Sequence, residues 1–391
     1  MGDSYWMQTT PHIGCPSLKG AHKTDIVVIG AGLTGLHAAL NICEEIPDKQ
    51  VTLIEADRIC GDASGRTMGK VAVSHSRIFP RLSAEVGRGY LRANQEGFNR
   101  IEHLIASYDI ECDYRRVPNY IFATTEAHAG HVRKDYDSMA QLGLDVEWFE
   151  PQDNESKEIP LDFLVSIRHK NQAMFHPRKF ALGLFRAILD RGGVVFEHTR
   201  ATEVEEHLEG VTIDIEGGGC IEAEKAVVAT RVSVLDKEPY ATALSFWRSH
   251  MVAYSCEKVL IKNAYTRYDP VVTTFRSNNA DLILGGNDAN VPFGNDEDHY
   301  RSIDSWMRQA YPEQGNSLAK QKLSTWWGED ADSADRLPLI GPYQPNSKHV
   351  FVATGYCGWG MTKSAYAGIM LADLVAGRDN PYLALFDPAR F

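Results

Sequence analysis

The sequence predicts an α/β fold in which two lobes interleave along the chain. Ile26–Ile29 is a short apolar run, rich in β-branched residues, that ends at a glycine-rich turn and leads directly into a helical pattern. A second strand, glycine-rich turn and helix close the chain, from His349 to about Ala376. With 391 residues the chain is also too long for one average domain, which leaves two lobes or one large domain with insertions.

The stretch from Asp25 to Glu55 has the features of a dinucleotide-binding unit. Gly30, Gly32 and Gly35 follow the GxGxxG spacing, which permits a tight turn, a close approach of backbone to pyrophosphate, and close packing of helix on strand. The helix N-terminus then faces the phosphates. Glu55 ends the next strand, where a carboxylate accepts hydrogen bonds from a ribose diol. The alternative is a glycine-rich turn in an ordinary α/β protein.

A polar, glycine-punctuated loop follows, from 56 to 79. Such loops line sites more often than they fill cores. The segment Ser64–Gly69 offers backbone amides, hydroxyls and the Arg66 cation to a cofactor, while Lys70 and His75 could face a reaction centre. A solvated surface loop is the competing interpretation.

The next pieces predict an inserted lobe and then a return to the α/β pattern. A helix over 80–108, strands near 112–116 and 120–124, and a helix over 126–142 form the first visit to this lobe. A helix that Pro177 can start, capped or oriented by His176, begins the return. The strands expected after it are 194–197, 202–206, a hairpin of 211–215 with 220–223, and 225–230.

The last third repeats this alternation. Strands near 250–255, 271–275 and 282–286 and an acid-started helix over 296–311 form the second visit to the inserted lobe. We therefore divide the chain into an N-terminal arm (1–24), nucleotide-binding segments (25–78, 171–233 and 330–391) and cap segments (79–170 and 234–329).

Composition excludes several classes of function. The net charge of −12 argues against broad nucleic-acid binding and against adhesion to anionic membranes, and no apolar run approaches the length of a membrane span. The seven cysteines are scattered and never form a CxxC pair, so we expect thiols, no metal site and no disulfide framework. A reducing, cytoplasmic location follows. The first twenty residues do not have the pattern of a secretory signal, and we expect an irregular arm.

Several longer stretches together are more specific than the glycine spacing. They are SYW near the start, DIVVIGAGLTGL, LIEADRI, ASGRTMGKVAVSH, QAMFHPRKF, GGVVFEHTRATEVE, ILGG, DRLPLIG, VFVATGYCGWGMT and the closing LFDPARF. Over nearly its whole length the chain resembles the FAD-dependent oxidoreductases of the D-amino-acid oxidase superfamily. Among them it is most similar to the branch with a C-terminal Rieske domain, with γ-glutamylputrescine oxidase a more distant relative. The resemblance implies a glutathione-reductase-type FAD-binding Rossmann domain with an interleaved α+β substrate cap.

The resemblance also implies which residues hold FAD. Those expected along the pyrophosphate, the ribose and the approach to the flavin ring are Gly30, Gly32, Leu33, Thr34, Gly35, Glu55, Ala56, Ser64, Gly65, Arg66, Thr67, Met68 and Gly69. Those expected at the adenine, the nucleotide and the pyrimidine end of the ring are Val204, Ala229, Thr230, Gly355, Trp359, Gly360, Met361 and Thr362.

Two departures from the family pattern matter. The chain holds no Cys-x-His…Cys-x-x-His pattern, which a Rieske cluster requires, so its electron acceptor need not match that of the tailed relatives. Sarcosine-oxidase relatives attach the flavin through a cysteine where this chain has Ser324–Trp327. We therefore expect non-covalent FAD.

The reaction implied by the resemblance is hydride removal from a carbon that bears an amine. The residues expected at the reaction centre are Lys70, His75, Trp359 and Arg276. Each has a structural alternative: a surface ion pair for Lys70, a satisfied core histidine for His75, core packing for Trp359, and a structural cation for Arg276. Arg248 and His250 are further candidates for a substrate carboxylate, whereas core packing is favoured for Trp306.

We expect a small amine or amino-acid substrate, with oxygen or a separate redox partner accepting the electrons. Two other interpretations stay open. One is a flavin-binding scaffold or sensor without turnover. The other, NAD in the same nucleotide site, is disfavoured because the ASGRT loop and the late glycine turn belong together only along a longer flavin dinucleotide.

Overall fold

The computed structural model describes residues 2–152, 159, 161–231, 235, 243–290, 294–312 and 315–390. Helices in these ranges are α1 Tyr5–Gln8, α2 Leu33–Glu45, α3 Ala84–Ser107, α4 Glu126–Gln141, α5 Pro177–Asp190, α6 Asp296–Ala310, α7 Gly315–Lys320, α8 Gly360–Val375 and α9 Leu383–Phe386. Strands are β1 Ala21–Lys23, β2 Ile26–Ile29, β3 Val51–Ile54, β4 Lys70–Val71, β5 Arg115–Ala123, β6 Val146–Phe149, β7 Val165–Met174, β8 Val194–Phe196, β9 Ala201–Glu206, β10 Val211–Ile215, β11 Gly219–Ala223, β12 Lys225–Val228, β13 Leu244–Tyr254, β14 Ala264–Arg267, β15 Val272–Asn278, β16 Asp281–Asn290, β17 Lys322–Ser333, β18 Leu339–Pro342 and β19 Val350–Thr354.

One sheet carries the glycine-rich turn. Its order is β18-β19-β12-β2-β3-β8, with β2 parallel to both β3 and β12 and only β18 antiparallel to its neighbour. Strands β2 and β3 are buried at every position, as expected for a parallel sheet covered on both faces. Helices α2, α5 and α8 pack together on one face. The small sheet β1-β11-β10-β9 shares a core cluster with the other face.

A second large sheet has the order β17-β13-β16-β15-β14-β5-β7-β4, with β6 also paired to β7. It draws its strands from widely separated parts of the chain, because β5 pairs with β7 on one side and with β14 on the other. Helix α6 packs on it through an apolar stripe that includes the buried Tyr300, Ile303 and Met307. The strand β4, which follows the 3-10 turn Ala63–Arg66, joins this sheet at its end.

The structure confirms the α/β fold and corrects several elements. The N-terminal arm is not irregular: Ser4 caps α1, Trp6 is fully buried, and β1 pairs with β11. Two strands expected near 112–124 form the single strand β5, because a register shift between Val117 and Asn119 accommodates Pro118. Helix α3 begins at Ala84, after Ser83, instead of at residue 80. The domain boundaries stay a prediction.

Candidate functional site

The glycine-rich turn between β2 and α2 has no room for side chains. Gly30 has a φ of 102°, and a Cβ there would lie 2.8 Å from the carbonyl oxygen of Ala229. A Cβ on Gly35 would overlap the carbonyl oxygen of Gly30, which is the close helix–strand packing expected of the third glycine. Gly32 is the N-cap residue of α2 and has no side chain to close the helix end.

Glu55 and Ser64 fix this turn from two sides. Glu55 accepts hydrogen bonds from the backbone N–H groups of Ala31 (2.8 Å) and Asp57 (2.9 Å), and its burial raises the pKa of the carboxyl. The Ser64 hydroxyl accepts from the N–H of Leu33 at 2.9 Å. The predicted ribose acid and the predicted pyrophosphate loop thus lie beside the glycines.

The carboxyl end of β12 completes this part of the site. Ala229 donates its N–H to the carbonyl of Ile29, and Thr230 follows with a buried hydroxyl for which the described residues provide no hydrogen-bond partner. Val204, on β9, packs against the core cluster that contains Ile29.

The first turn of α8 is a second open helix end. Gly355 has a φ of 75°, and the N-cap residue Trp359 makes no side-chain capping bond. Gly360, Met361 and Thr362 therefore present the amides of an uncapped helix start, which carries a partial positive charge. The Thr34 hydroxyl donates to the Tyr356 hydroxyl at 2.9 Å and so connects this end to α2.

A cavity of about 380 Å³ extends from this helix end to the second large sheet. Its walls combine the loop after the 3-10 turn, the start of α8 and strands β13 to β17. Lining residues that the sequence analysis had singled out are Arg66, Thr67, Met68, Lys70, His75, Trp359, Gly360, Met361 and Thr362.

Lys70 lies half-buried on the cavity wall. Its Nζ donates to the carbonyl oxygen of Tyr265 at 3.2 Å and to the Thr266 hydroxyl at 2.8 Å, and it lies 5.3 Å from the centre of the Trp359 ring. Burial and the nearby Arg276 cation lower the pKa of Lys70 to about 7. Among the described residues no carboxylate pairs with Lys70, in contrast to the alternative of a surface ion pair.

His75 also borders the cavity, but its ring nitrogens are occupied. Nε2 lies 2.6 Å from the carbonyl oxygen of Ala72 and Nδ1 lies 2.6 Å from the Tyr90 hydroxyl. Because a carbonyl only accepts, Nε2 carries the proton and Nδ1 accepts from Tyr90. Burial first, and then the Lys363 charge, hold the pKa of His75 well below its usual range. With both nitrogens bonded inside the protein, this geometry disagrees with the predicted hydrogen bond from His75 to substrate or flavin. The His75 ring instead stacks on the Trp359 ring, with the two ring centres 4.8 Å apart.

Arg276 does not line the cavity. It is fully buried, and its Nη1 donates to the carbonyl oxygens of Met68, Gly69 and Phe175. The expected contact with a substrate carboxylate is therefore corrected: the guanidinium holds the backbone around Gly69, where φ is 64°. Arg66 reaches the cavity wall, but its guanidinium likewise donates to carbonyls, including those of Gly61 and Gly2.

The other candidate residues in the cap segments also have partners within the protein. Arg248 lies over the Trp327 ring at 3.6 Å and pairs with Asp296 and Glu329. His250 shares Asp296 at 2.9 Å. Trp326 is buried in the protein interior, and Trp306 packs half-buried against the core beside the second large sheet, a packing role that the sequence favoured.

Sequence reasoning missed much of the substrate side of the cavity. Arg77, Thr266, Asp288, Asp330 and Asp332 line it. Asp330 accepts from the N–H groups of Ala331 (2.8 Å) and Gly358 (2.7 Å), and burial raises the pKa of Asp330 to about 6. The available signal was the pair Asp330 and Asp332, two residues apart in one strand and thus on the same face.

The seven cysteines are all unpaired. In the described part of the chain, no three His, Cys, Asp or Glu side chains come together as ligands of a metal ion. No helix in the same ranges combines the length and the apolar character needed to cross a bilayer.

Residues 25–374 match the family model described as FAD dependent oxidoreductase (DAO). The chain belongs to this DAO family. It is an FAD-dependent oxidoreductase, in accord with the family expected from the sequence motifs.

Named relatives agree with this assignment. The chain is 26% identical over 402 residues to YhfW of Bacillus subtilis (strain 168), which is named as a Rieske 2Fe-2S iron–sulfur protein; the match covers 100% of this chain and 76% of that protein. It is 25% identical over 377 residues to the gamma-glutamylputrescine oxidoreductase of Escherichia coli (strain K12), covering 92% and 85%. The fold is similar to that of glycine oxidase from Geobacillus kaustophilus, with a TM-score of 0.80, 18% identity, and 95% and 99% of the two chains covered.

The residues of this DAO-family chain fit FAD. Glycines without side chains form a cradle beside Glu55, and the Thr230 hydroxyl has no hydrogen-bond partner among the described residues. The starts of α2 and α8 have no side-chain capping bond from their N-cap residues. These features suit the diphosphate and ribose of a dinucleotide at α2 and an electron-rich ring at α8.

Proposed function

We propose that this chain oxidises a small amine or amino acid at the carbon that bears the nitrogen. The observation that supports this function is the cavity itself, which joins the predicted flavin end of the cofactor site to the strands of the second large sheet. FAD, when bound, supplies the acceptor for a hydride and its two electrons. The protein must then hold the reacting carbon next to that acceptor and keep water away.

Both signs of charge on the cavity wall support a polar, amine-bearing substrate. Arg77 contributes a cation and Lys70 an amine, and Asp288 and Asp330 contribute carboxyl groups. The stacked rings of Trp359 and His75 form a flat wall between Lys70 and the start of α8. Such an arrangement orients a small molecule by its polar groups, while the aromatic wall limits where its C–H bonds lie.

We propose that FAD is bound without a covalent link. Cys357 is the cysteine on the cavity wall, but its thiol is buried beside Ser333, and burial raises its pKa to about 11. The thiolate that a covalent bond requires is therefore scarce. Acid precipitation should release the yellow colour into the supernatant, whereas colour in the precipitated protein would contradict non-covalent binding.

The function is tested by anaerobic mixing of the FAD-loaded protein with glycine, sarcosine, L-proline, D- and L-alanine and putrescine. A fall in flavin absorbance at about 450 nm reports the two-electron reduction of FAD. Glycolate and lactate are matched controls, because each replaces the amine of glycine or alanine by a hydroxyl.

Bleaching by an amine but not by its hydroxy counterpart is the expected result. Bleaching by the hydroxy acids alone would overturn amine oxidation. A spectrum that stays oxidised with a broad amine panel would favour a flavin-binding scaffold.

A further inference from the structure

Lys70 differs from Arg276, Arg66 and Arg336 in how many groups its nitrogen contacts. Arg276 and Arg66 donate to several backbone carbonyls each, and Arg336 is paired with Asp332. Lys70 instead meets one carbonyl and one hydroxyl, both neutral acceptors on β14. A half-buried ammonium with neutral partners has lost part of its hydration without a compensating anion.

Two acceptors suit a neutral amine. A neutral lysine has two N–H bonds and one lone pair, whereas an ammonium has three N–H bonds to satisfy. The contacts to Tyr265 and Thr266 occupy two N–H bonds. Because Lys70 lines the cavity, the third position of its nitrogen is left for a bound molecule.

Of the charges that face Lys70, the Arg276 cation favours the same state. Arg276, on β15, acts on Lys70 as a like charge. His75, in the loop after β4, faces Lys70 as a neutral ring. From the start of α8, Trp359 presents only its ring. Asp288 and Asp330 line the same cavity from β16 and β17, and Arg77 lies at its edge. Together with burial, the Arg276 charge lowers the pKa of Lys70 to about 7.

We propose that Lys70 is the general base of the reductive half-reaction, taking a proton from the ammonium group of the substrate before hydride leaves the adjacent carbon. This rests on the proposed amine oxidation. In the step, one N–H bond of the substrate ammonium breaks and one forms on Lys70 Nζ, so that the amine becomes neutral, Lys70 becomes an ammonium, and no electrons are transferred. The neutral amine has the lone pair that stabilises positive charge on the carbon as hydride departs.

The protonation state can be tested without turnover. The FAD-loaded protein is labelled with trace acetic anhydride from pH 5 to 11, and the acetylation of each lysine is followed by peptide mass spectrometry. The exposed Lys23 is the internal reference. A midpoint near 7 for Lys70 is expected, and a midpoint near the ordinary lysine value of about 10.4 would overturn the proposal.

The base role is tested with Lys70→Met and Lys70→Arg. Methionine removes the base and the charge, whereas arginine keeps a charge but cannot deprotonate. The amine that bleaches the wild-type flavin fastest in the panel is used, and the second-order rate constant for bleaching is measured from pH 6 to 10.

The wild-type rate constant should rise tenfold per pH unit up to about pH 7 and then level off. Both variants should be about 100-fold or more slower at pH 7, should rise up to the substrate's own pKa of about 10, and should approach the wild type there. Flavin content and spectrum must match the wild type.

Three results would overturn the base role: an unchanged profile, an equal loss at every pH, or wild-type rates with Lys70→Arg. These results leave amine oxidation standing. If no amine bleaches the wild-type flavin, the proposed function fails, and the base role fails with it.

Discussion

At the scale of single residues, the partners of a polar side chain decide whether it can take part in chemistry. His75, Arg276 and Lys70 lie close together, and sequence reasoning placed all three at the reaction centre. His75 uses both ring nitrogens inside the protein, and Arg276 uses its guanidinium on three carbonyls. Lys70, on the cavity wall, meets one carbonyl and one hydroxyl, which leaves a third position of its nitrogen for a bound molecule.

Glu55→Gln should weaken FAD binding by about 1–3 kcal/mol. The carboxylate accepts from the N–H groups of Ala31 and Asp57, and glutamine would turn an NH₂ donor towards one of them. It would also lose one acceptor for a ribose. Fluorescence titration of the apoprotein with FAD measures the change, with Glu209→Gln at an exposed position as the control. Equal dissociation constants for Glu55→Gln and wild type would contradict the assignment.

Asp135 should make stability depend on pH. It is fully buried, accepts from the backbone N–H of Arg77 and from the Tyr268 hydroxyl, and burial raises its pKa to about 6. The folded protein therefore keeps a proton that the unfolded chain has already released at the ordinary aspartate pKa of 3.8. The contribution of Asp135 to stability is largest below the unfolded pKa and is lost as pH rises through about 6.

The free energy of unfolding of the wild type, minus that of Asp135→Asn, should thus fall as pH rises from about 4 to above 6. The fall is about 3 kcal/mol at most, because a shift of one pKa unit corresponds to about 1.4 kcal/mol. Urea unfolding of both proteins at pH 5 and pH 7.5 detects part of this change. A difference between the two proteins that is the same at both pH values would refute it.

At the scale of elements, local signals predicted the parallel strands and the helices well. β2, β3, α5 and the hairpin β10–β11 were found where expected, because apolar runs, Pro177 and paired turns act over a few residues. The long antiparallel strands were the weak point. β7, β14 and β17 were missed, since polar and charged residues interrupt them and their strand character depends on partners far away in sequence.

Gly97→Ala should destabilise the protein by about 1–3 kcal/mol and lower its affinity for FAD. A Cβ at Gly97, on α3, would overlap the carbonyl oxygen of Thr362 in the first turn of α8. The helices would have to separate, and the helix start at the cavity would shift. Thermal unfolding and FAD titration measure both effects.

Gly130→Ala is the matched control for this substitution. Gly130 lies in α4, and a Cβ there meets nothing within 4 Å. Alanine should stabilise that helix by about 0.5–1 kcal/mol without changing FAD affinity. If Gly97→Ala behaves like Gly130→Ala, then α3 does not position α8.

At the scale of the whole molecule, the site combines two halves that differ in how far sequence can predict them. The proposed cofactor half depends on short motifs, the glycine turn with Glu55 and the start of α8, so that sequence alone could propose residues for it. The proposed substrate half is lined by Lys70 from β4, Thr266 from β14, Asp288 from β16 and Asp330 from β17. These strands meet through pairings across the second large sheet, and no local pattern specifies such pairings.

The charge on Lys70 should also affect which molecule accepts electrons from the reduced protein. After the proposed proton transfer Lys70 is an ammonium on the cavity wall, close to the Trp359 ring. A fixed cation in a water-poor cavity favours electron transfer to oxygen, because negative charge develops on oxygen as it is reduced. We therefore expect that the amine-reduced protein reoxidises within seconds in air and releases about one peroxide per flavin. The Lys70→Met variant, reduced with dithionite instead of amine, should reoxidise more slowly. The measurement is stopped-flow absorbance with a peroxide assay after anaerobic reduction. Reoxidation of the wild type over many minutes, with almost no peroxide, would show instead that the protein is a dehydrogenase that passes its electrons to a separate redox partner.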